Sequence, residues 1–180
     1  GLFSRLLPED GAAVINLNGA GGAAMADLCA ARGIRTLTIG HEAGADLRIR
    51  GQRYDATGQD LRFDWQGQPY QVHLNLVGGF QAENVLVAAG LVIGAGAAPG
   101  DVFRALSSLT GVRGRMQLAA KRKNGAAVYV DYAHTPDAIE TALKALRPHV
   151  LGQIVIVFGA GGDRDTTKRP LMGAAARAHA

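Results

Sequence analysis

The residues that could do chemistry in this chain follow two apolar runs in its second half. Asp131 and His134 come after the run 126–130, and Arg164 comes after the run 153–158 with glycines between. A carboxylate can accept hydrogen bonds from a ribose diol, and arginine presents a planar fork that matches a carboxylate or phosphate. Glycines let the backbone approach a ligand closely. These residue types suit the binding of an anionic, nucleotide-like ligand.

The elements predicted around these residues would place them on one rim. The run 126–130 is uniformly apolar, which is typical of a strand buried on both faces of a parallel sheet. Thr135 and Pro136 then predict the start of a helix over Pro136–Leu146. A second strand at 153–158 would complete a right-handed β-α-β crossover. Both strands would then end at the same edge of the sheet, where open α/β proteins bind ligands.

A purely structural interpretation of the same residues stays open. Asp131 and His134 could order the loop before the helix, and the charged stretch 163–169 could be a solvated start of the next helix. A glycine-rich turn, 19–22, follows a strand and opens a helix as phosphate loops do, but it lacks the P-loop lysine. The five histidines have no metal-ligand spacing, and most are expected at the surface or at helix caps.

The first part of the chain predicts a different mixture of elements. A strand, a helix and a strand form a β-α-β unit, and the stretch 46–76 then alternates polar and apolar residues as antiparallel strands with one wet face do. Phe63, Trp65 and Tyr70 are expected on the dry face of those strands. The predicted boundaries are strands 12–16 and 36–39, helices 23–32, 79–94 and 99–109, turns near 51, 58 and 67, and later strands 116–120 and 126–130.

Composition narrows the class of protein. The chain has 180 residues, 48% of them hydrophobic, which is ample for a packed core. Its 19 basic and 15 acidic residues give a net charge of +4, and the basic ones are scattered, which favours small anionic ligands over nucleic acid. Cys29 is the sole cysteine, so no internal disulfide can form, and it is expected to be buried. No apolar run reaches the roughly 20 residues of a membrane span, and no signal peptide opens the chain.

Two motifs resemble those of the Mur ligases. They are the stretch DYAHTPD at 131–137 and the stretch FGAGGDRD at 158–165, which KRPLMG follows at 168–173. Upstream stretches at 13–16, 79–84 and 114–116 agree with the resemblance, which spans almost the whole chain. Related folylpolyglutamate synthetases carry an asparagine version of the first motif, so Thr135 and the run GGDRD at 161–165 favour the muramoyl branch of the family. Within that branch, the motifs resemble those of the ligases that add the third stem-peptide residue.

The resemblance implies a cytoplasmic, monomeric, three-domain ligase that uses ATP and Mg²⁺ and touches neither membrane nor nucleic acid. ATP would phosphorylate the D-glutamate carboxylate of UDP-MurNAc-L-Ala-D-Glu, and the amine of a diamino acid, meso-diaminopimelate, would attack the acyl phosphate. Residues 1–113 would be the later part of the central ATPase domain. Residues 114–180 would be the beginning of a Rossmann-like C-terminal domain with a parallel sheet. The implied fold class is therefore α/β.

The resemblance also implies roles for individual residues. Asn84 would contact the adenine, Arg115 and Asp131 the nucleotide phosphate and ribose, and His134 would lie beside the nucleotide. Arg164 would bind a carboxylate of the incoming amino acid. Two structural alternatives remain, because Asn84 could instead cap its helix and Arg115 could form a hinge salt bridge.

The chain also departs from the family pattern. Asn16-Leu-Asn18 stands where the family usually carries an acidic pair after the first strand. The P-loop, most Mg²⁺ ligands, the carbamylated lysine and the motif that selects the amino acid are all expected outside the chain. The chain is therefore expected to be a piece of a longer protein. By itself, this piece is expected to hold no catalytic residue and to be inactive. A folylpolyglutamate or cyanophycin-type ligase and a non-catalytic nucleotide-binding module are the alternatives.

Overall fold

The chain divides into two compact units in a computed structural model that describes residues 1–162 and 167–180. Each unit has its own core. The first unit comprises Gly1–Arg53, Gln59–Leu74 and Gly79–Leu109, and the second comprises Tyr54–Gly58, Asn75–Gly78 and Thr110–Ala180.

The first unit is a five-stranded mixed sheet with helices, in the order β1-β2-β3-β4-β5. A short π-helical segment, Leu2–Leu6, precedes the sheet, and a 3₁₀ turn, Leu106–Ser108, follows the last helix. Its strands are β1 (Ala12–Asn16), β2 (Arg35–Gly40), β3 (Leu47–Tyr54), β4 (Gln59–Trp65) and β5 (Gln68–Leu74), and its helices are α1 (Gly22–Ala31), α2 (Phe80–Gly94) and α3 (Pro99–Ala105).

The pairing of these strands confirms the predicted mixture. β1 and β2 are parallel over five residue pairs, as the β-α-β unit requires, and β3 joins β2 in parallel at only two pairs. β4 and β5 form an antiparallel hairpin closed by Gln66 and Gly67, both with positive φ as a type I′ turn demands. Gly51 lies inside β3, so the turn predicted there is wrong.

Alternation along the strands sends apolar side chains to the core. Ala13 and Ile15 of β1 pack with the fully buried Cys29 of α1, so the thiol is buried as predicted. Phe63 stacks on Tyr70 at a centroid distance of 5.4 Å, and Phe103 of α3 meets both rings edge-on or tilted. The aromatic residues of the hairpin therefore form core packing, as the pattern indicates.

Close packing of the backbone accounts for the glycine at position 22, in the turn before α1, without a bound phosphate. A Cβ at this position would lie 2.3 Å from the carbonyl oxygen of Asn16 and 2.9 Å from the Cα of Leu17. Both atoms belong to the backbone and cannot move aside cheaply. The close approach of α1 to the end of β1 therefore requires glycine.

The second unit is built around two helices and a hairpin. Its elements are β6 (Gln117–Lys121), β7 (Ala127–Val130), α4 (Pro136–Leu146), a 3₁₀ turn (Arg147–His149) and α5 (Lys168–His179). The Oγ1 of Thr135 accepts a hydrogen bond from the Ala138 amide at 3.2 Å, so α4 starts at its predicted cap. The core comprises Ile139, Leu143, Ile154, Met172 and Ala176.

The predicted β-α-β crossover of this unit is wrong. β7 pairs antiparallel with β6, and Val128 and Val130 are 42% and 47% exposed rather than buried on both faces. Within the described residues, the run 153–158 forms no strand. Ile154 packs on the helices, while Val155 and Val157 point into solvent, because an apolar run becomes a strand only where a neighbouring strand pairs with its backbone.

One histidine departs from the expectation of surface or capping positions. His149 is 8% exposed, its Nδ1 lies 2.7 Å from the carbonyl oxygen of Asp55, and its Nε2 accepts a hydrogen bond from the Gly78 amide at 3.0 Å. Its ring also meets Tyr54 edge-on at 5.1 Å. Throughout the described ranges, no helix combines the length and the apolar content that a bilayer crossing requires.

Candidate functional site

Asp131 ties together two loops of the second unit. One of its carboxylate oxygens accepts a hydrogen bond from the Met116 amide and the other accepts one from the Ala133 amide, each at 2.9 Å. The end of β7 is thereby joined to the loop before β6. Asp131 therefore does order its loop, as the structural interpretation expected. A carboxylate has about four acceptor positions, so these two bonds leave capacity for a ligand hydroxyl.

Arg115 lies at an exposed position in a tightly turned loop. Gly114 before it and Met116 after it both have positive φ, at 70° and 47°. The Gly114 amide donates to Oε1 of Gln117 at 2.9 Å, and the Met116 side chain is buried. With both neighbours anchored, the Arg115 side chain extends into solvent, where its guanidinium carbon lies 5.6 Å from the ring centroid of Tyr132. In the described part of the chain, the contact found for the Arg115 guanidinium is with this aromatic ring. The hinge salt bridge stays a prediction.

Tyr132 and His134 form the other side of this cluster. Their rings meet edge to face at a centroid distance of 4.9 Å, and Tyr132 is 65% exposed. The Nδ1 of His134 lies 2.9 Å from the carbonyl oxygen of Tyr132. A carbonyl oxygen can only accept, so Nδ1 carries the proton of this bond. Nε2 is then the nitrogen that can accept from a ligand when the ring is neutral or donate to it when the ring is protonated.

Asn84 lies in the first unit, exposed on α2. Its Nδ2 donates a hydrogen bond to Oε1 of Gln81 at 3.4 Å, and the N-cap position of α2 is occupied by Gly79. The alternative that Asn84 caps its helix is therefore wrong.

The neighbouring Glu83 is a residue that the sequence analysis missed. Its two carboxylate oxygens accept hydrogen bonds from the side-chain amides of Asn16 at 2.7 Å and Asn18 at 3.0 Å. These bonds join the end of β1 to the first turn of α2. The sequence signal was a pair of asparagines after an apolar strand together with an acidic residue in the first turn of a later helix.

The structure thus brings together three of the five candidate residues. Arg115, Asp131 and His134 lie around Tyr132 in the second unit, while Asn84 belongs to the first. Arg164 falls in 163–166, outside the described residues. Among the residues that are described, no group of three or more His, Cys, Asp or Glu side chains could hold a metal ion.

Two family models match the chain and together cover most of it. The model of the Mur ligase middle domain matches residues 1–92, and the model of the Mur ligase glutamate ligase domain matches residues 114–180.

Individual relatives agree with the family models. The chain is 46% identical over 175 residues to a UDP-N-acetylmuramoyl-L-alanyl-D-glutamate--2,6-diaminopimelate ligase of Bradyrhizobium diazoefficiens, covering 96% of this chain and 36% of the relative. A solved structure of a ligase of that name superimposes with a TM-score of 0.74 at 34% identity, over 99% of this chain and 37% of the other.

A more distant structure shows the same fold. The MurF ligase of Thermotoga maritima in complex with ADP matches with a TM-score of 0.61 at 23% identity, over 78% of this chain and 31% of the other. The chain therefore spans about a third of the length of the relatives it matches. With two domain models matched and close relatives along nearly its whole length, this chain belongs to the Mur ligase family.

Proposed function

We propose that the full-length protein containing this chain is an ATP-dependent ligase that adds meso-diaminopimelate to UDP-MurNAc-L-Ala-D-Glu. The observation that carries the proposal is the 46% identity, over 96% of the chain, to a ligase of that name. The solved structure with a TM-score of 0.74 supports it independently of the sequence motifs. The use of ATP is further supported by the MurF relative, which was solved with ADP.

The proposed chemistry forms an amide through an activated carboxylate. The D-glutamate carboxylate takes the γ-phosphoryl group of ATP and releases ADP. The amine of the incoming amino acid then attacks the acyl carbon, and the tetrahedral intermediate expels phosphate. Because the carboxylate and the ATP phosphates are both anionic, the protein's part is to hold them together against their mutual repulsion and to position the amine for attack.

We assign the candidate residues to the nucleotide and the acceptor. Arg115 would contact a nucleotide phosphate, Asp131 the ribose hydroxyls, and His134 would lie beside the nucleotide with Nε2 available. Their common position around Tyr132 in the second unit supports a shared ligand. Asn84, exposed on α2, would contact the adenine, and Arg164 would bind a carboxylate of diaminopimelate.

The remaining assignments concern the whole protein. Residues 1–113 would belong to the central domain and 114–180 to the C-terminal domain, which the family matches at 1–92 and 114–180 support. We propose a cytoplasmic monomer, as the resemblance to the Mur ligases implies. Mg²⁺ would be held mostly by residues outside this chain, and the described residues offer no group of three or more metal-ligating side chains.

The test is a ligation assay on the full-length protein. ADP release and the new amide are measured with ATP, UDP-MurNAc-L-Ala-D-Glu and either meso-diaminopimelate or L-lysine, and product formed with diaminopimelate is expected. A folate substrate with glutamate serves as the comparison. Ligation of folate instead would assign a folylpolyglutamate-type enzyme, and binding of ATP without any product would assign a non-catalytic module.

A further inference from the structure

The backbone around Arg115 is fixed by several hydrogen bonds, whereas its guanidinium makes few contacts. The loop around it is fixed by the Met116 amide, which donates to Asp131, and by the Gly114 amide, which donates to Gln117. Beyond the loop, the long side chain crosses solvent, and the contact that the structure gives it is the face of Tyr132 at 5.6 Å. A guanidinium within about 6 Å of an aromatic centroid is attracted to the ring.

The backbone around Tyr132, in contrast, is held by hydrogen bonds from both sides. It is the middle residue of a turn in which Asp131 accepts a hydrogen bond from the Ala133 amide at 2.9 Å. The carbonyl oxygen of Tyr132 also accepts from Nδ1 of His134, whose ring packs edge to face on the Tyr132 ring at 4.9 Å. The ring is nevertheless 65% exposed, so it contributes little to the core of the unit.

We propose that Tyr132 is a positioning residue, which holds the Arg115 guanidinium ready for a nucleotide phosphate. The inference rests on the proposed ligase function and deepens it at the same site. Arginine side chains lose considerable rotational entropy when they are fixed, so a guanidinium that is already restrained by the ring binds phosphate at a smaller entropic cost. The π face of the ring, rather than the phenolic hydroxyl, is the part that matters.

The expected effect follows from the strength of an exposed cation–π contact. Loss of the ring face should raise the KM for ATP by about two- to fivefold, with kcat nearly unchanged. The test uses the full-length ligase with saturating UDP-MurNAc-L-Ala-D-Glu and meso-diaminopimelate, and it follows ADP release while ATP is varied. Tyr132→Leu, which keeps apolar bulk without a π face, should show the rise, whereas Tyr132→Phe should behave as the unmodified enzyme does.

Two further variants separate positioning from general effects. Arg115→Ala should raise the KM for ATP by more than Tyr132→Leu, and the double variant should be no worse than Arg115→Ala, because the ring has no guanidinium left to hold. Arg113→Ala removes a neighbouring exposed positive charge and should leave the KM unchanged. Thermal midpoints of the Leu and Phe variants should agree, since the ring is exposed.

Each contrary result has a distinct meaning. An enzyme that is active and impaired by Arg115→Ala but unaffected by Tyr132→Leu would overturn the positioning role and leave the ligase function standing. A Phe variant as weak as the Leu variant, or effects that multiply in the double variant, would do the same. An unimpaired Arg115→Ala variant would overturn the role of Arg115 together with that of Tyr132. A full-length protein that releases no ADP with these substrates would overturn the proposed function and the inference together.

Discussion

At the scale of single residues, Asp131 is the most constrained member of the site. Both oxygens accept backbone hydrogen bonds, so Asp131→Asn must turn an amide NH₂ toward one of two N–H donors. We expect the free energy of unfolding to fall by about 1–3 kcal/mol, the cost of an unsatisfied group. Urea denaturation of the full-length protein measures it.

A matched control for that change lies in the first turn of α4. Asp137 is an exposed carboxylate there. Asp137→Asn removes the same charge, and what it loses is a favourable interaction with the helix dipole. Its cost should be about 0.3–1 kcal/mol. Equal losses from both variants would show that the two backbone bonds of Asp131 contribute nothing special to stability.

Gly22 carries a second prediction at this scale. Gly22→Ala would drive a Cβ to within 2.3 Å of the Asn16 carbonyl oxygen, and we expect destabilisation of at least about 1–3 kcal/mol as backbone shifts to relieve it. Gly51→Ala, inside β3 with no atom within 4 Å of the new Cβ, should be neutral or stabilising. Thermal unfolding of the two variants side by side tests this, and a tolerated Gly22→Ala would contradict the close approach.

Local motifs revealed some site residues and could not reveal others. Asp131 and His134 stand in one contiguous motif, so the sequence could place them on one loop. Glu83 meets Asn16 across 67 residues of sequence, and Arg115 meets Tyr132 across a hairpin. Such contacts depend on how elements pack, and no periodicity or spacing within one segment encodes them.

At the scale of elements, α4 was predicted residue by residue because its signals are local. The cap, the first-turn proline and the acidic residue that follows all lie within three positions of its start. Thr135→Ala should cost about 1 kcal/mol by removing the acceptor of the Ala138 amide, while Thr135→Ser keeps a hydroxyl and should cost much less. Chemical denaturation compares the two, and equal losses would assign the effect to the methyl group rather than to the cap.

Acid should weaken the outer face of the same helix. The Lys144 ammonium, through a hydrogen bond and its charge, holds the pKa of the Glu140 carboxyl below its usual value, and His179 of α5 lies 3.5 Å from the same carboxylate. Because the pKa is lower in the folded state, this stabilisation is present above the ordinary Glu pKa and is lost as the pH falls through the folded value. Glu140→Gln should therefore lower the thermal midpoint at neutral pH, and the difference should shrink toward pH 3. A difference independent of pH would contradict this.

The strands of the second unit show the limit of composition as a guide. Apolar β-formers at 126–130 and 153–158 predicted a parallel pair, yet the first run pairs with β6 and the second pairs with no strand in the described part of the chain. Composition indicates how readily a segment becomes a strand. Which backbone it pairs with is decided elsewhere in the fold.

At the scale of the whole molecule, the two compact units are not continuous stretches of the sequence. Tyr54–Gly58 and Asn75–Gly78 interrupt the first unit in sequence but belong to the second. The sequence predicted one boundary near residue 113, in a loop ahead of the strand expected at 116–120, and it carried no sign that two short loops of the earlier part pack with the later one. The family matches at 1–92 and 114–180 are continuous stretches of sequence, whereas the second unit also includes two short loops from the earlier part of the chain.

His149 is the residue that joins those loops within the second unit. It receives a hydrogen bond from the Gly78 amide, its Nδ1 donates to the Asp55 carbonyl, and its ring packs on Tyr54. His149→Ala removes both bonds at a buried position, so we expect destabilisation of about 1–3 kcal/mol for each polar group left behind. Hydrogen exchange at the Gly78 amide of the full-length protein should become faster.

His179→Ala is the matched histidine control for that prediction. It removes a half-buried ring whose charged contact is one surface carboxylate, and such contacts contribute about 0–1 kcal/mol. Urea denaturation should therefore rank His149→Ala well below His179→Ala in stability. If the two variants are equally stable, or if exchange at Gly78 is unchanged in His149→Ala, the loops are held by their other contacts. In the expected case, a single imidazole that bridges two loops distant in sequence contributes measurably to holding them in this unit.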